Sequence, residues 1–231
     1  MRTSFPGFPK EGMEFLRRLK KNNRREWFQP RKHVFEAMVK APMMELVTAI
    51  NAKLVRFAPD HVTDPDKALY RIYRDTRFSS DKTPYKTHIA ANFWHQGMPK
   101  HASGGYYFSV SPDEIEIAGG VYMPGPPQLA AIRGRIAARH EEFSRLVRNR
   151  ALRELMGDLR GDALARVPQG FPPGHPAAAS LKMKQWYYYL TALPVELAMT
   201  PEFAGEVVKR FRIMHRVVDF FNAALAAEVG N

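Results

Sequence analysis

The sequence predicts an α+β fold: an antiparallel meander sheet packed by N-terminal helices and a long C-terminal helix. Three observations support this. Apolar residues recur at helical spacing through the first quarter and again over 202–227. Residues 69–122 instead hold segments that alternate with period two and favour aromatic and β-branched types. Short connections join the later of these segments, whereas a parallel crossover needs about a dozen residues or more, so the pairing is antiparallel. No internal repeat or linker interrupts the chain, and residues 1–231 are read as a single domain.

Residues 11–21 form an amphipathic helix, with Phe15, Leu16 and Leu19 on one side and Arg17, Arg18, Lys20 and Lys21 largely on the other. Asn23 and Glu26 have the spacing of a capping box, opening a helix that buries Trp27 and Phe28. Residues 31–39 continue that helix or begin another segment. Pro42 then opens a third, carrying Leu46, Val47, Ile50 and Leu54. Strands are expected at 69–73, 87–94, 106–110 and 115–122, with 97–105 joining the second to the third and Pro112-Asp113 turning between the last two. Gly104-Gly105 reads as a hairpin end and Gly119-Gly120 as a bulge. Pro126 and Pro127 suit the first turn of a helix that runs, continuous or broken, to Leu155. Residues 157–174 are loop, 185–190 a last strand, and 202–227 a helix with Phe203, Val207, Phe211, Met214, Val218 and Phe221 inward.

With 45% hydrophobic and 25% charged residues the chain has the balance of a globular protein. It has no cysteine, which excludes disulfides, thiolate catalysis and thiolate-bound metals. No leader-like apolar run follows Arg2 and no stretch reaches membrane-spanning length, so a cytoplasmic location is expected. A formal charge of +12 favours anionic partners. His88, His95 and His101 lack ligand spacing, so no metal and no cofactor is expected, and no GxSxG elbow is present.

Residues 70–88 read YRIYRDTRFSSDKTPYKTH. Arg71, Arg74, Arg77, Lys82, Lys86 and His88 face only two acids, Asp75 and Asp81, while Ser79, Ser80, Thr83 and Thr87 add hydroxyls. Guanidinium forks, ammonium groups and turn amides suit a phosphate or carboxylate. The same groups also suit internal ion pairs and turn caps.

The run RFSSDKTPYKTH, with NNRREWF before it and GFPPGHP and LKMK after it, closely resembles the domain-of-unknown-function 2461 family of mostly bacterial, cytoplasmic proteins. The resemblance spans about residues 8–221. It marks Arg77, Phe78, Ser79, Asp81, Lys82 and Pro84, then Tyr85, Lys86, Thr87 and His88, and finally Gly170, His175, Pro176 and Lys184. The family more often carries an acid near Pro173 or Gly174. This chain has none there, so no acid–base or metal role is carried over to that position.

The first function expected is binding of a small phosphate- or carboxylate-bearing ligand at a basic cleft. That cleft would be built from Arg77, Ser79, Lys82, Tyr85, Lys86 and His88, with His175 and Lys184 brought near by folding. If the site is catalytic, His88 or His175 is the proton carrier, and no nucleophile is identified. A second function is weak, non-specific nucleic-acid binding through basic faces that include Arg17, Arg18, Arg24, Arg25, Lys209, Arg210 and Arg216. The aromatics Tyr106, Tyr107, Tyr122 and 186–189 could stack bases, but strand aromatics more often belong to the core. A third is a structural or partner-binding role in which the motif locks the fold.

Overall fold

The structure is a computed structural model that describes residues 5–98 and 103–229, with the backbone alone at 227–229. Helix α1 spans Lys10–Lys21 and buries Met13, Phe15, Leu16 and Leu19, the stripe its sequence spacing places on one face. Short helices α2 (Arg25–Phe28) and α3 (Lys32–Phe35) and a π-turn at Glu36–Lys40 lead into α4 (Ala41–Leu54). A one-turn α5 (Pro65–Ala68) precedes the sheet. The sheet contains β1 (Ile89–Trp94), β2 (Gly105–Val110), β3 (Ile115–Val121) and β4 (Trp186–Leu190) in the order β1-β2-β3-β4, every pair antiparallel. Helices α6 (Pro126–Ala138), α7 (His140–Val147), α8 (Arg150–Met156) and α9 (Ala178–Leu181) lie between β3 and β4, and α10 (Phe203–Val229) closes the chain. The expected α+β meander is the observed fold.

The sheet packs one face against α10. Strand alternation sends Phe93, Tyr106, Phe108, Ile117, Trp186 and Tyr188 to this side. Phe211 of α10 stacks on Tyr106 at 4.7 Å and lies 5.5 Å from Phe93, while Phe203 meets Phe108 at 6.2 Å. Trp186, wholly buried, satisfies its indole N–H on the Ser180 carbonyl at 3.1 Å. The six inward residues expected on α10 are all buried.

Several expectations are corrected. The strand at residues 69–73 is absent as a ladder and makes only two isolated bridges, Leu69 to Ala91 and Tyr73 to Tyr85. Pro84, its neighbour there, accepts from Arg74 N but has no N–H to return, so the pairing cannot propagate. Asn23 caps nothing: α2 has no side-chain cap, and the Asn23 amide is engaged by the backbone of Tyr85 instead. Gly119-Gly120 is not a bulge, because the registers on both sides of β3 run unbroken. Part of the 97–105 connection and His101 lie outside the described residues.

Candidate functional site

The basic motif separates into three environments. At its tip, Arg77 is exposed and clamps Asp75 through Nε at 3.0 Å and Nη2 at 2.8 Å, beside the 94% exposed Phe78. Lys82 donates to the Thr76 carbonyl at 2.9 Å, and the Ser79 N–H lies 3.4 Å from the same oxygen. Asp81 accepts from Thr83 N at 2.9 Å and from the Arg74 guanidinium, which also reaches the Thr83 hydroxyl. Asp75 is held down at about 2 by the Arg77 side chain and then its N–H, and Asp81 at about 2 by the Thr83 N–H and then Arg74. Arg77 and Lys82 therefore already have partners within the loop.

At the base, Tyr85 belongs to the core. Its ring is 1% exposed and stacks on Phe28 with centroids 4.1 Å apart. The Asn23 side chain donates to the Tyr85 carbonyl at 2.8 Å and accepts from its N–H at 3.0 Å. This pair of bonds joins the NNRREWF segment to the motif. Beyond Tyr85, Lys86 and His88 are half-buried beside the sheet. Lys86 Nζ sits 5.0 Å from the centre of the Tyr70 ring.

His175 and Lys184 lie elsewhere. His175 accepts from Ala177 N at 3.0 Å and meets the His140 ring at 5.4 Å, while Lys184 is exposed with its backbone N–H on the Asp162 carbonyl. Among the described residues, no hydrogen bond, ion pair or ring contact joins either to residues 77–88. In the proposed nucleic-acid set, Arg17 and Arg18 both pair with Glu14, and Arg210 is buried on Glu206 at 2.5 Å. Arg210 is therefore withdrawn from any basic surface.

A deep concavity lies on the other face of the sheet. It is a bowl of about 780 Å³. Registered rows build it: Trp94, Gly105, Gly120 and Tyr187 lie side by side, as do Asn92, Tyr107, Ala118 and Tyr189. Gly105, Ala118 and Gly120 form a low floor between aromatic walls. Glycine is required at two of these positions, since a Cβ would lie 2.4 Å from the Phe93 carbonyl oxygen at Gly105 and 2.2 Å from that of Trp186 at Gly120, whose φ is +134°. Each sheet edge then raises a rim. The Leu69 to Ala91 bridge holds Tyr70 beside β1, and the Arg160 to Tyr187 bridge holds Arg160 beside β4.

Glu116, two positions from Ala118, is the carboxylate in this bowl. Its Oε2 accepts from Ser109 Oγ at 2.6 Å and Tyr107 OH at 3.3 Å, and its Oε1 from Tyr189 OH. Burial alone would raise its pKa, but the Ser109, Tyr189 and Tyr107 hydroxyls, with the charge of His88, hold it below the ordinary value. His88 is pushed down by burial and Lys86, against the pull of Glu116, so at neutral pH it is a neutral imidazole. Lys86 is lowered by burial and then by Arg71. Arg160 lies over the Tyr189 ring at 5.6 Å. The bowl thus offers aromatic surface, an ionised carboxylate and the Arg160 cation at the β4 rim, while Lys86, over the ring of the lining residue Tyr70, and His88, in electrostatic range of Glu116, stand outside its lining.

Sequence reasoning did not find this bowl. The aromatics expected in the core divide: Tyr106, Trp186 and Tyr188 are core, whereas Tyr107, Tyr122, Tyr187 and Tyr189 line the open face. The available signal was the combination of WYYYL with IEIAGGV, since alternation puts two tyrosines on the same face as a glutamate, an alanine and a glycine. A second, shallower cavity of about 350 Å³ beside α8 is edged by Arg150 and Arg153, which pair with Glu154 and Asp158. Among the described residues no three His, Asp or Glu side chains converge as a metal site, and no helix is long and apolar enough to cross a membrane.

Fold and site together define a four-stranded antiparallel sheet backed by a long helix on one face and hollowed into a ligand-sized bowl on the other. Residues 11–220 match the family described as "Conserved hypothetical protein (DUF2461)", and the chain belongs to that family. No curated protein and no solved structure matches it.

Proposed function

We propose that this protein binds a small organic ligand carrying a phosphate or carboxylate group in the bowl on the open sheet face. The observation that carries this reading is the bowl itself: about 780 Å³, walled by Trp94, Tyr107, Tyr187 and Tyr189 over a Gly/Ala floor. That volume falls within the roughly 300–1,000 Å³ of small-molecule sites, and a rigid ladder positions its walls. The anionic group is assigned to the Lys86 corner. Lys86 forms no ion pair among the described residues and feels Arg71 as a like charge. An anion there offsets that repulsion and favours the charged ammonium. His88, in electrostatic range of both Lys86 and Glu116, is the proton carrier assigned should turnover accompany binding. A cytoplasmic location fits a cysteine-free chain with this ligand class.

The test is a thermal-shift screen against a metabolite library, followed by calorimetry on Ala118→Trp and Lys86→Ala. The expected hits are planar anions, lost in Ala118→Trp, whose indole fills the bowl from its floor, and weakened about tenfold in Lys86→Ala. Hits that bind Ala118→Trp as tightly as the unaltered protein refute the site.

A further inference from the structure

The chain carries 35 lysines and arginines, yet among the described residues none forms an ion pair with Glu116, whose oxygens instead accept from the hydroxyls of Ser109, Tyr107 and Tyr189. A half-buried carboxylate in a strongly basic protein ordinarily acquires a lysine or arginine, because an unpaired charge away from water is costly. Here three hydroxyls hold it ionised in place of a cation. An ionised carboxylate has about four acceptor positions. Oε2 uses two and Oε1 one, so Oε1 keeps a position for a further donor.

Opposite charges also flank Glu116 without meeting it. His88 feels both Glu116 and Lys86, so the carboxylate and the ammonium both lie within electrostatic range of one imidazole. Tyr189 donates its hydroxyl to Glu116 while its ring lies under Arg160. The bowl therefore presents a negative centre with Arg160 at one rim and Lys86 behind the Tyr70 ring at the other, and its aromatic walls add surface that attracts organic cations.

Resting on the anion-binding reading above, we infer that the ligand is zwitterionic: its ammonium or amidinium group donates to Glu116 while its phosphate or carboxylate reaches the cationic rim. Glu116 is thus the residue that selects aminated ligands from other small anions. A cation at Glu116 supplies the missing counter-charge, as the anion does at Lys86.

Calorimetry at pH 7 with inorganic phosphate, ethanolamine and phosphoethanolamine tests this on the unaltered protein. Phosphoethanolamine is expected to bind at least about tenfold more tightly than phosphate, the size of one charge-assisted hydrogen bond. Glu116→Gln should bring the two to parity, with phosphate bound no more weakly than before because a like charge has been removed. Equal affinity for both in the unaltered protein overturns the inference; if Lys86→Ala then weakens phosphate binding, the anion site stands without it. Binding of none of the three overturns both. The comparison on the unaltered protein decides even if Glu116→Gln folds poorly.

Discussion

Asn23→Ala should be among the most damaging surface-proximal substitutions in the chain, although it deletes only an amide. That amide makes two hydrogen bonds, 2.8 Å to the Tyr85 carbonyl and 3.0 Å from its N–H. Tyr85 is pinned in the core against Phe28, so its backbone cannot readily turn to water. Each orphaned backbone group costs about 1–3 kcal/mol, and because the site is part-buried the lower part of that range applies, about 2–4 kcal/mol together. For a chain of this length that corresponds to a fall in Tm of roughly 5–15 °C. Urea denaturation measures it, with Asn23→Asp as an intermediate control that keeps the acceptor and loses the donor. A loss below about 0.5 kcal/mol in Asn23→Ala would refute the claim that this pair ties the N-terminal helices to the motif.

Tyr85→Phe should leave stability unchanged or raise it by about 1 kcal/mol, because the buried Tyr85 hydroxyl has no protein partner; a clear loss in chemical denaturation contradicts this. His61 is buried against Gly104, Asn222, Tyr106 and His95, with Asp60 and His215 also acting on it. Burial pushes it down to about 4, with His95 and His215 adding and the Gly104 carbonyl and Asp60 opposing. The unfolded chain therefore binds the proton first: stability is full above about 6.5, falls as pH drops, and has lost roughly 3 kcal/mol by about pH 4. Denaturation curves across that window should show the slope, and His61→Gln should flatten it; a slope unchanged in the variant points to another group. Association with nucleic acid, given +12 and dispersed cations, should be weak, non-specific and steeply salt-dependent in fluorescence anisotropy, and a sequence-selective complex that survives raised salt would contradict this.

The architecture was legible because periodicity is a local property. Alternation in 106–110 and 115–122 and the spacing of Phe203 to Phe221 each report which side is buried, and the short turns force antiparallel order. Asn23 was misread because its capping spacing is also local, whereas the backbone that engages it is 62 residues away. The motif was conspicuous in sequence for its charge, yet Arg77 and Lys82 spend that charge inside their own loop. The bowl was hidden for the opposite reason. Its floor is glycine and alanine, residues that carry no functional signal until registry sets Gly105 beside Gly120 and Ala118 between Tyr107 and Tyr189. Tyr70, the first residue of the legible motif, lines that hidden site, and Lys86 over its ring and His88 near Glu116 extend the link.

A co-crystal structure with the tightest ligand from the metabolite screen is the most direct measurement. Ligand density over Gly105, Ala118 and Gly120, between Trp94 and Tyr189 and with its anionic group toward Lys86, is the predicted result. Density at the Arg77 and Lys82 tip with an unoccupied bowl would contradict the account.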